Sequence, residues 1–302
     1  MDLKSKIILI YGPTASGKSD FAIKLAKKIK GEIINSDSIQ VYKELKILTA
    51  RPLNKNFQKI KHHLYGFKKS NKNFSTGDWL KIVSKKINEI KKRKQIPILV
   101  GGTGLYFKAL TDGLVEIPSI PIKFRNKIRL LQKSIGQEKF YNKLLKVDPP
   151  IVNHINSKDV QRSIRAYEVK IFTKKSITEW YKNTKSKFKK REFLKLYIDY
   201  PRSELIKKIN QRTKLMLNMG AVLEVKRFLN LRISKNKSIS KAIGIAEIKD
   251  FIKKKIVKDE VIEKISIKTR QYAKRQATWS RGHMKSWKKI KPNRLNSFLK
   301  KI

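Results

Sequence analysis

Cysteine is absent from the 302 residues, histidine occurs four times, and acidic side chains are scarce, 23 Asp and Glu against 74 Lys and Arg. The first absence excludes disulfides and cysteine zinc sites, and His62, His63, His154 and His283 do not have the spacing of a metal centre. Adjacent His62 and His63 would point apart in a strand, which reads as a structural pair. No apolar run approaches the roughly 18 residues of a membrane span. The chain enters its first apolar run at Lys6 without a signal-peptide pattern, so a cytoplasmic protein with no membrane partner is expected. The shortage of acid leaves a net charge of +51, far from the balance of an enzyme that handles only small molecules, and points to a polyanionic partner such as nucleic acid. The Lys-, Ile- and Asn-rich texture allows a compositional origin for part of that charge. The length suits one large or two modest domains, and no internal repeat is present.

What is present begins with Gly12-Pro13-Thr14-Ala15-Ser16-Gly17-Lys18-Ser19, directly after the apolar run Lys6 to Tyr11. The run reads as a buried strand. Gly12 and Gly17 permit a tight turn that aims successive N–H groups at phosphate oxygens, Lys18 adds a point charge, and Ser19 offers a hydroxyl to Mg²⁺. A helix is expected from about Ser19, with Phe21, Ala22, Leu25, Ala26 and Ile29 on its apolar face. The motif is of the nucleotide-binding, ATP-binding type but does not settle which phosphate compound sits there.

A second acid that would hold Mg²⁺ in an ordinary P-loop NTPase is missing from its usual place. The strand Ile96 to Val100 runs into a second glycine turn, Gly101-Gly102-Thr103-Gly104, with no carboxylate. An acid follows the second strand instead, as Asp37. In a parallel sheet, ligands bind at the carboxyl ends of the strands, so Asp37 and Thr103 are expected to face the crevice that holds Lys18. One group to cradle a leaving diphosphate and one to take a proton fits group transfer better than hydrolysis.

The pattern of the chain gives an α/β fold: a P-loop NTPase-like parallel sheet flanked by helices, with a helical insertion domain. The expected divisions are 1–118 for the first part of the core, 119–190 for the insertion, and 191–302 for core completion by a strand and C-terminal helices. Ser75 and Asp78 have capping-box spacing ahead of a helix carrying Leu80, Val83, Ile87 and Ile90. Phe193 to Ile198 reads as a strand returning to the sheet, with Ser203 capping a helix that holds Arg212. Between them, Lys182 to Arg191 is basic without an apolar period. The arginines gather at Arg162/Arg165 and Arg270/Arg275/Arg281, and Arg is the better fork for phosphate. Over Asp259 to Arg281, helical spacing puts Val261, Ile265, Tyr272, Gln276 and Trp279 on one stripe and Arg270, Lys274 and Arg281 on the opposite one. Ser157 is placed to cap a second such helix, with Val160, Ile164, Tyr167 and Ile171 inward and Gln161 and Arg165 on another side.

End to end, the chain resembles the bacterial tRNA dimethylallyltransferase family. The resemblance is carried by the P-loop; by Asp37-Ser38-Ile39-Gln40-Val41-Tyr42; by Thr49-Ala50-Arg51-Pro52; by His62-His63-Leu64; by Gly101-Gly102-Thr103-Gly104-Leu105-Tyr106; by Gln161-Arg162-Ser163-Ile164-Arg165-Ala166; and by Lys274-Arg275-Gln276-Ala277-Thr278-Trp279. It implies that dimethylallyl diphosphate, not ATP, occupies the P-loop, and that its prenyl group goes to N6 of the adenosine 3′ of the anticodon in tRNA. Asp37 would be the general base. Thr14, Lys18 and Ser19 would hold diphosphate and Mg²⁺, with Arg212 as a further cation. Contacts with the tRNA anticodon stem-loop would come from Asp37, Ser38, Ile39 and Gln40, from Thr103 and Arg125, from Gln161, Arg162, Ser163, Ile164 and Arg165, and from Lys274, Arg275, Gln276 and Arg281. The chain would act as a monomer.

It departs from the family at Ile243-Gly244-Ile245-Ala246, where Gly is usually followed by Tyr and then Arg or Lys, which removes one aromatic and one basic tRNA contact. Two further classes are a phosphotransferase or adenylate isopentenyltransferase, acting on small acceptors, and a non-catalytic or NTP-switched RNA-binding protein. The basic insertion argues against the first, and Asp37 has no evident use in the second.

Overall fold

In the computed structural model, which describes residues 3, 5–52, 60–182 and 184–302, the first apolar run forms β1 (Ile7–Tyr11) at the middle of a parallel sheet. The other strands are β2 (Gly31–Asn35), β3 (His62–His63), β4 (Ile96–Gly101), β5 (Phe193–Ile198) and β6 (Lys288–Ile290). Their order is β3-β2-β4-β1-β5-β6, every pair parallel. Strand β1 is unbroken in its apolar character because both of its faces are covered. Ile8 and Ile10 pack with Phe21, Ala22 and Leu25 of α1 (Lys18–Ile29). Ile7, Leu9 and Tyr11 pack on the other face with Val83 and Ile87 of α2 (Thr76–Lys92) and Phe107 of α3 (Gly104–Asp112).

The expected capping box opens α2: the Ser75 hydroxyl accepts from Asp78 N, and Asp78 accepts in turn from Ser75 N. At the start of α1 the backbone of Gly17 has φ 75°, a left-handed conformation that costs glycine little.

Contacts divide the chain into two compact units, 1–111 with 188–302, and 112–187. The second unit contains α4 (Ile122–Val147), α5 (Val160–Thr173) and the short α6 (Ile177–Tyr181). Gly136, with φ 77° and ψ 171°, breaks α4 into two helical stretches. The cap of α5 differs from expectation. Asp159, not Ser157, accepts from Arg162 N. The inward face differs too: Ser163, Ala166, Glu168 and Val169 are the most buried, while Val160, Tyr167 and Ile171 are half-buried. The helix packs against apolar clusters on more than one side, Ile164 in one and Ala166 and Val169 in another, so its buried face is wider than one stripe. Of the basic stretch from Lys182 to Arg191, Asn183 lies outside the described residues.

In the first unit, β5 is followed by α7 (Arg202–Asn218), whose cap position is Pro201; Ser203 sits in the first turn instead. Helices α8 (Ala221–Asn230), α9 (Ile245–Ile252) and α10 (Lys258–His283) form a further apolar cluster with Val41, Tyr42, Leu45 and Leu48. The terminal α11 (Leu295–Lys301) covers α1 with Phe298, near Phe21. No helix among the described residues is long and apolar enough to cross a membrane.

Candidate active site

At the carboxyl end of β1 a cleft of about 910 Å³ opens. The P-loop from Thr14 to Ser19, the segment Asp37 to Gln40, and Arg212, Tyr272 and Arg275 all border it. The chain thus brings together the turn after β1, the turn after β2, and side chains from α7 and α10, elements that are far apart in sequence.

The phosphate end is cationic. Lys18 is half-buried and its Nζ donates to Pro13 O at 3.2 Å. Burial pulls its ammonium down to about 8; the Asp37 charge acts the other way, and Arg212 adds to the fall. Arg212 Nη2 donates to the Thr14 hydroxyl at 2.7 Å. Burial lowers the Arg212 guanidinium to about 10, against the pull of Asp37, so it stays charged at neutral pH. Two cations are therefore held, desolvated and close to one carboxylate, in a site suited to a polyanion.

Asp37 is fixed by its neighbours. Its Oδ1 accepts from Ile39 N at 3.0 Å and Gln40 N at 3.4 Å. Asn35 holds the main chain there, accepting from Asp37 N and donating to Asp37 O and Leu64 O. Thr103 differs from the expectation that it faces the crevice: the wall beside β4 is Val100 and Gly101, and Thr103 Oγ1 accepts from Ser38 N at 2.9 Å. It supports a residue of the cleft instead of lining it.

Gln276 also has a different place from the one expected. It is buried at 5% exposure. Its Oε1 accepts from Thr14 N at 2.8 Å, its Nε2 donates to Gly102 O at 2.9 Å, and its carbonyl accepts from Tyr11 OH at 3.0 Å. The side chain ties the P-loop to the second glycine turn. A Cβ at Gly102 would fall on Gln276 Nε2, and one at Gly104 on the Trp279 ring, so the glycine turn and α10 are cut to fit one another. Of the other α10 residues, Arg275 lies over the Tyr272 ring, 5.7 Å from its centroid, and borders the cleft; Lys274 and Arg281 are exposed, and Arg270 is half-buried.

Within the second unit, Arg125 and Arg165 converge on Glu168, and Gln161 and Arg162 are exposed. Ser163 and Ile164 are buried, Ser163 donating to Asp159 O at 2.7 Å, so those two side chains belong to the core of the unit. Ile245, at the departure from the family pattern, is likewise in a core.

Sequence reasoning missed Glu224 of α8. Its carboxylate accepts from Lys46 N, Ile47 N and Leu48 N at 2.7–2.8 Å and shapes the cleft wall that ends in Thr49-Ala50-Arg51-Pro52. Only an isolated acid in a basic chain could have signalled it. Arg51 is spent on structure, donating to Tyr42 O and Lys43 O.

The oxygen donors at the cleft suit a hard cation. Among the described residues no cluster of three or more His, Cys, Asp or Glu exists. The Ser19 hydroxyl and the Asp37 carboxylate border the same space, and Mg²⁺ commonly takes one or two protein oxygens and completes its shell with phosphate and water.

Comparison with known proteins agrees with this geometry. The family model for IPP transferases matches residues 40–283. A tRNA dimethylallyltransferase of Pelagibacter ubique is 60% identical over 302 residues, all of this chain and 96% of the relative, and one of Rhizobium etli is 42% identical over 94% of this chain and 97% of the relative. Among solved structures, a eukaryotic dimethylallyltransferase acting on tRNA superposes with a TM-score of 0.83 at 29% identity, over 95% of this chain and 73% of that one. The tRNA delta(2)-isopentenylpyrophosphate transferase of Staphylococcus epidermidis gives 0.68 at 30% identity, over 98% and 97%. A parallel sheet with a P-loop at its central strand, a cationic cleft closed by α10, and full-length likeness at 60% identity place this chain in the IPP transferase family.

Proposed function

We propose that this chain transfers the dimethylallyl group of dimethylallyl diphosphate to N6 of the adenosine 3′ of the anticodon in tRNA, giving N6-isopentenyladenosine and diphosphate. The observation that carries the reading is the pairing, in one cleft, of two half-buried, desolvated cations with a carboxylate held on a separate turn. The apolar side chains Ile39, Ile47, Leu48, Ile243 and Ile265 border the same cleft and suit a five-carbon allyl group.

The N6 amine is a weak nucleophile because its lone pair is delocalised into the ring. Its attack on the allylic carbon forms the C–N bond as the C–O bond to diphosphate breaks, and the bonding pair leaves with the diphosphate. Lys18 and Arg212 stabilise the charge that grows on that oxygen, with the Thr14 hydroxyl held between loop and guanidinium. Asp37 takes the N6 proton, since Oδ1 is fixed by two backbone N–H groups and the carboxylate cannot swing away. Ser19 would hold Mg²⁺, which would supply further charge neutralisation on the diphosphate. The acceptor base is extruded from its stack, at about a few kcal/mol, and exposed cations such as Arg162, Lys274, Arg275 and Arg281 engage the RNA backbone. The reading includes a cytoplasmic, monomeric enzyme.

Unmodified tRNA with Mg²⁺ and labelled dimethylallyl diphosphate in one reaction, and γ-labelled ATP in another, tests it. Label is expected in tRNA only from the prenyl donor. Consumption of ATP alone would make the P-loop a nucleotide site and replace this assignment with a kinase.

A further inference from the structure

Glu168 is the one acid in α5, and it is buried to 1% exposure in a unit otherwise rich in lysine. Three guanidiniums meet it. Arg125 Nε lies 3.1 Å from Oε2, Arg165 Nη1 3.4 Å from Oε2, and Arg129 Nε 3.8 Å from Oε1. Arg125 and Arg129 are four residues apart on α4, and Arg165 and Glu168 three apart on α5, so helix periodicity and the α4–α5 packing around Ile128, Phe140 and Ile164 put all four at one place.

The arrangement is lopsided in charge. One carboxylate faces three cations and neutralises one of them, and Oε1 has no hydrogen-bond partner. The arginine side chains keep 35–45% exposure. Arg125 and Arg129 approach Glu168 through Nε, which leaves their terminal NH₂ groups for another anion. Guanidiniums this close repel one another and would otherwise spread through many rotamers. A buried acid that gathers them without saturating them builds a rigid fork set of the kind that matches phosphate oxygens.

We infer that Glu168 is a positioning residue for RNA: it pre-orders Arg125, Arg129 and Arg165 into a cluster that grips the phosphate backbone of the acceptor. The inference rests on the tRNA reading above and adds Glu168 and Arg129 to it. Its distinguishing consequence is one of sign. Glu168→Gln raises the positive charge facing the RNA, so charge alone makes binding tighter, whereas loss of pre-ordering makes it weaker.

The test is the affinity of the full chain for unmodified tRNA across a salt series, with prenyl-transfer kinetics alongside. E168Q is expected to weaken binding about two- to tenfold, the cost of re-ordering one rotamer-rich side chain on association. KM for tRNA rises accordingly, while kcat and the KM for the prenyl donor stay put. Arg125→Lys, which keeps the charge and removes the fork, is expected to lose affinity similarly and covers the case in which E168Q folds poorly. In an R125A/R129A/R165A background, which leaves Glu168 no arginine to order, E168Q should have no further effect. Equal or tighter binding by E168Q, or the same loss in the R125A/R129A/R165A background, would overturn the positioning role. Absence of salt-dependent tRNA binding by the unaltered protein would instead overturn the tRNA reading itself, and this inference with it.

Discussion

Replacing Gln276 by Leu tests how the donor loop is held. Leu keeps most of the volume against Gly102 but removes both hydrogen bonds, to Thr14 N at 2.8 Å and Gly102 O at 2.9 Å. A buried polar group left without a partner costs about 1–3 kcal/mol, so two cost about 2–6 kcal/mol if nothing moves. The cheaper outcome is movement: the loop shifts until Thr14 N and Gly102 O find water. Thr14 then leaves the Arg212 guanidinium, which reaches its hydroxyl at 2.7 Å. The expected result is a kcat/KM for the prenyl donor lowered about 10- to 100-fold, equivalent to ~1.4–2.7 kcal/mol of transition-state stabilisation. The tRNA affinity is expected to stay near that of the unaltered protein, because Lys274, Arg275 and Arg281 keep their helix. Gly102→Ala attacks the same clamp from the other side, since its Cβ would fall on Gln276 Nε2. The double variant G102A/Q276L should therefore lose less than the sum of its parts. Unchanged donor kinetics in Q276L, or strict additivity in the double variant, would refute the clamp.

Three further outcomes are expected. With its ammonium pulled down to about 8, Lys18 is charged below that pH and neutral above it; binding of a thio-linked dimethylallyl diphosphate analogue should weaken as pH rises through 8 and take up a proton there, and calorimetry in buffers of different ionisation heat giving no proton uptake would oppose this. Asp37→Asn preserves the Oδ1 acceptor for Ile39 N and Gln40 N but not the proton acceptor, so kcat should fall by about 10²–10⁴ with tRNA binding intact; loss of binding with retained turnover per bound tRNA would remove Asp37 as base. Asp159→Ala deletes the cap on Arg162 N and should cost about 1 kcal/mol in the stability of the helical unit, visible as a lower denaturation midpoint, whereas Ser157→Ala should be neutral.

The contrast between Asp159 and Ser157 shows where local reading stops. Both are good capping residues before an apolar run, and Asn156 also competes, accepting from Lys158 N through its side chain and from Asp159 N through its carbonyl. Which residue becomes the cap depends on where the preceding turn ends, and that turn follows Ile155, which is anchored by Tyr141 OH to its carbonyl. At Ser75 the side chains of Ser75 and Asp78 bond reciprocally, and the capping box forms as spaced. Arg125 and Arg165 illustrate the same limit: the sequence marks both as cations, and only the packing of α4 on α5 shows that a buried acid holds them together.

The sequence by itself determined what depends on neighbours within a few residues: the P-loop turn and its strand and helix, the capping box of α2, the two-faced burial of β1, and the choice of Asp37 as the acid beside a phosphate site. Tertiary structure alone decided what depends on groups brought together from afar. It lowered the Lys18 and Arg212 cations by burying them around one carboxylate, spent Gln276 on joining two glycine turns, and set Glu224 and Glu168 to order a cleft wall and an arginine cluster. Hydrogen-bond partners and desolvation are properties of distance in space, and spacing along the chain carries no record of them beyond a turn or two.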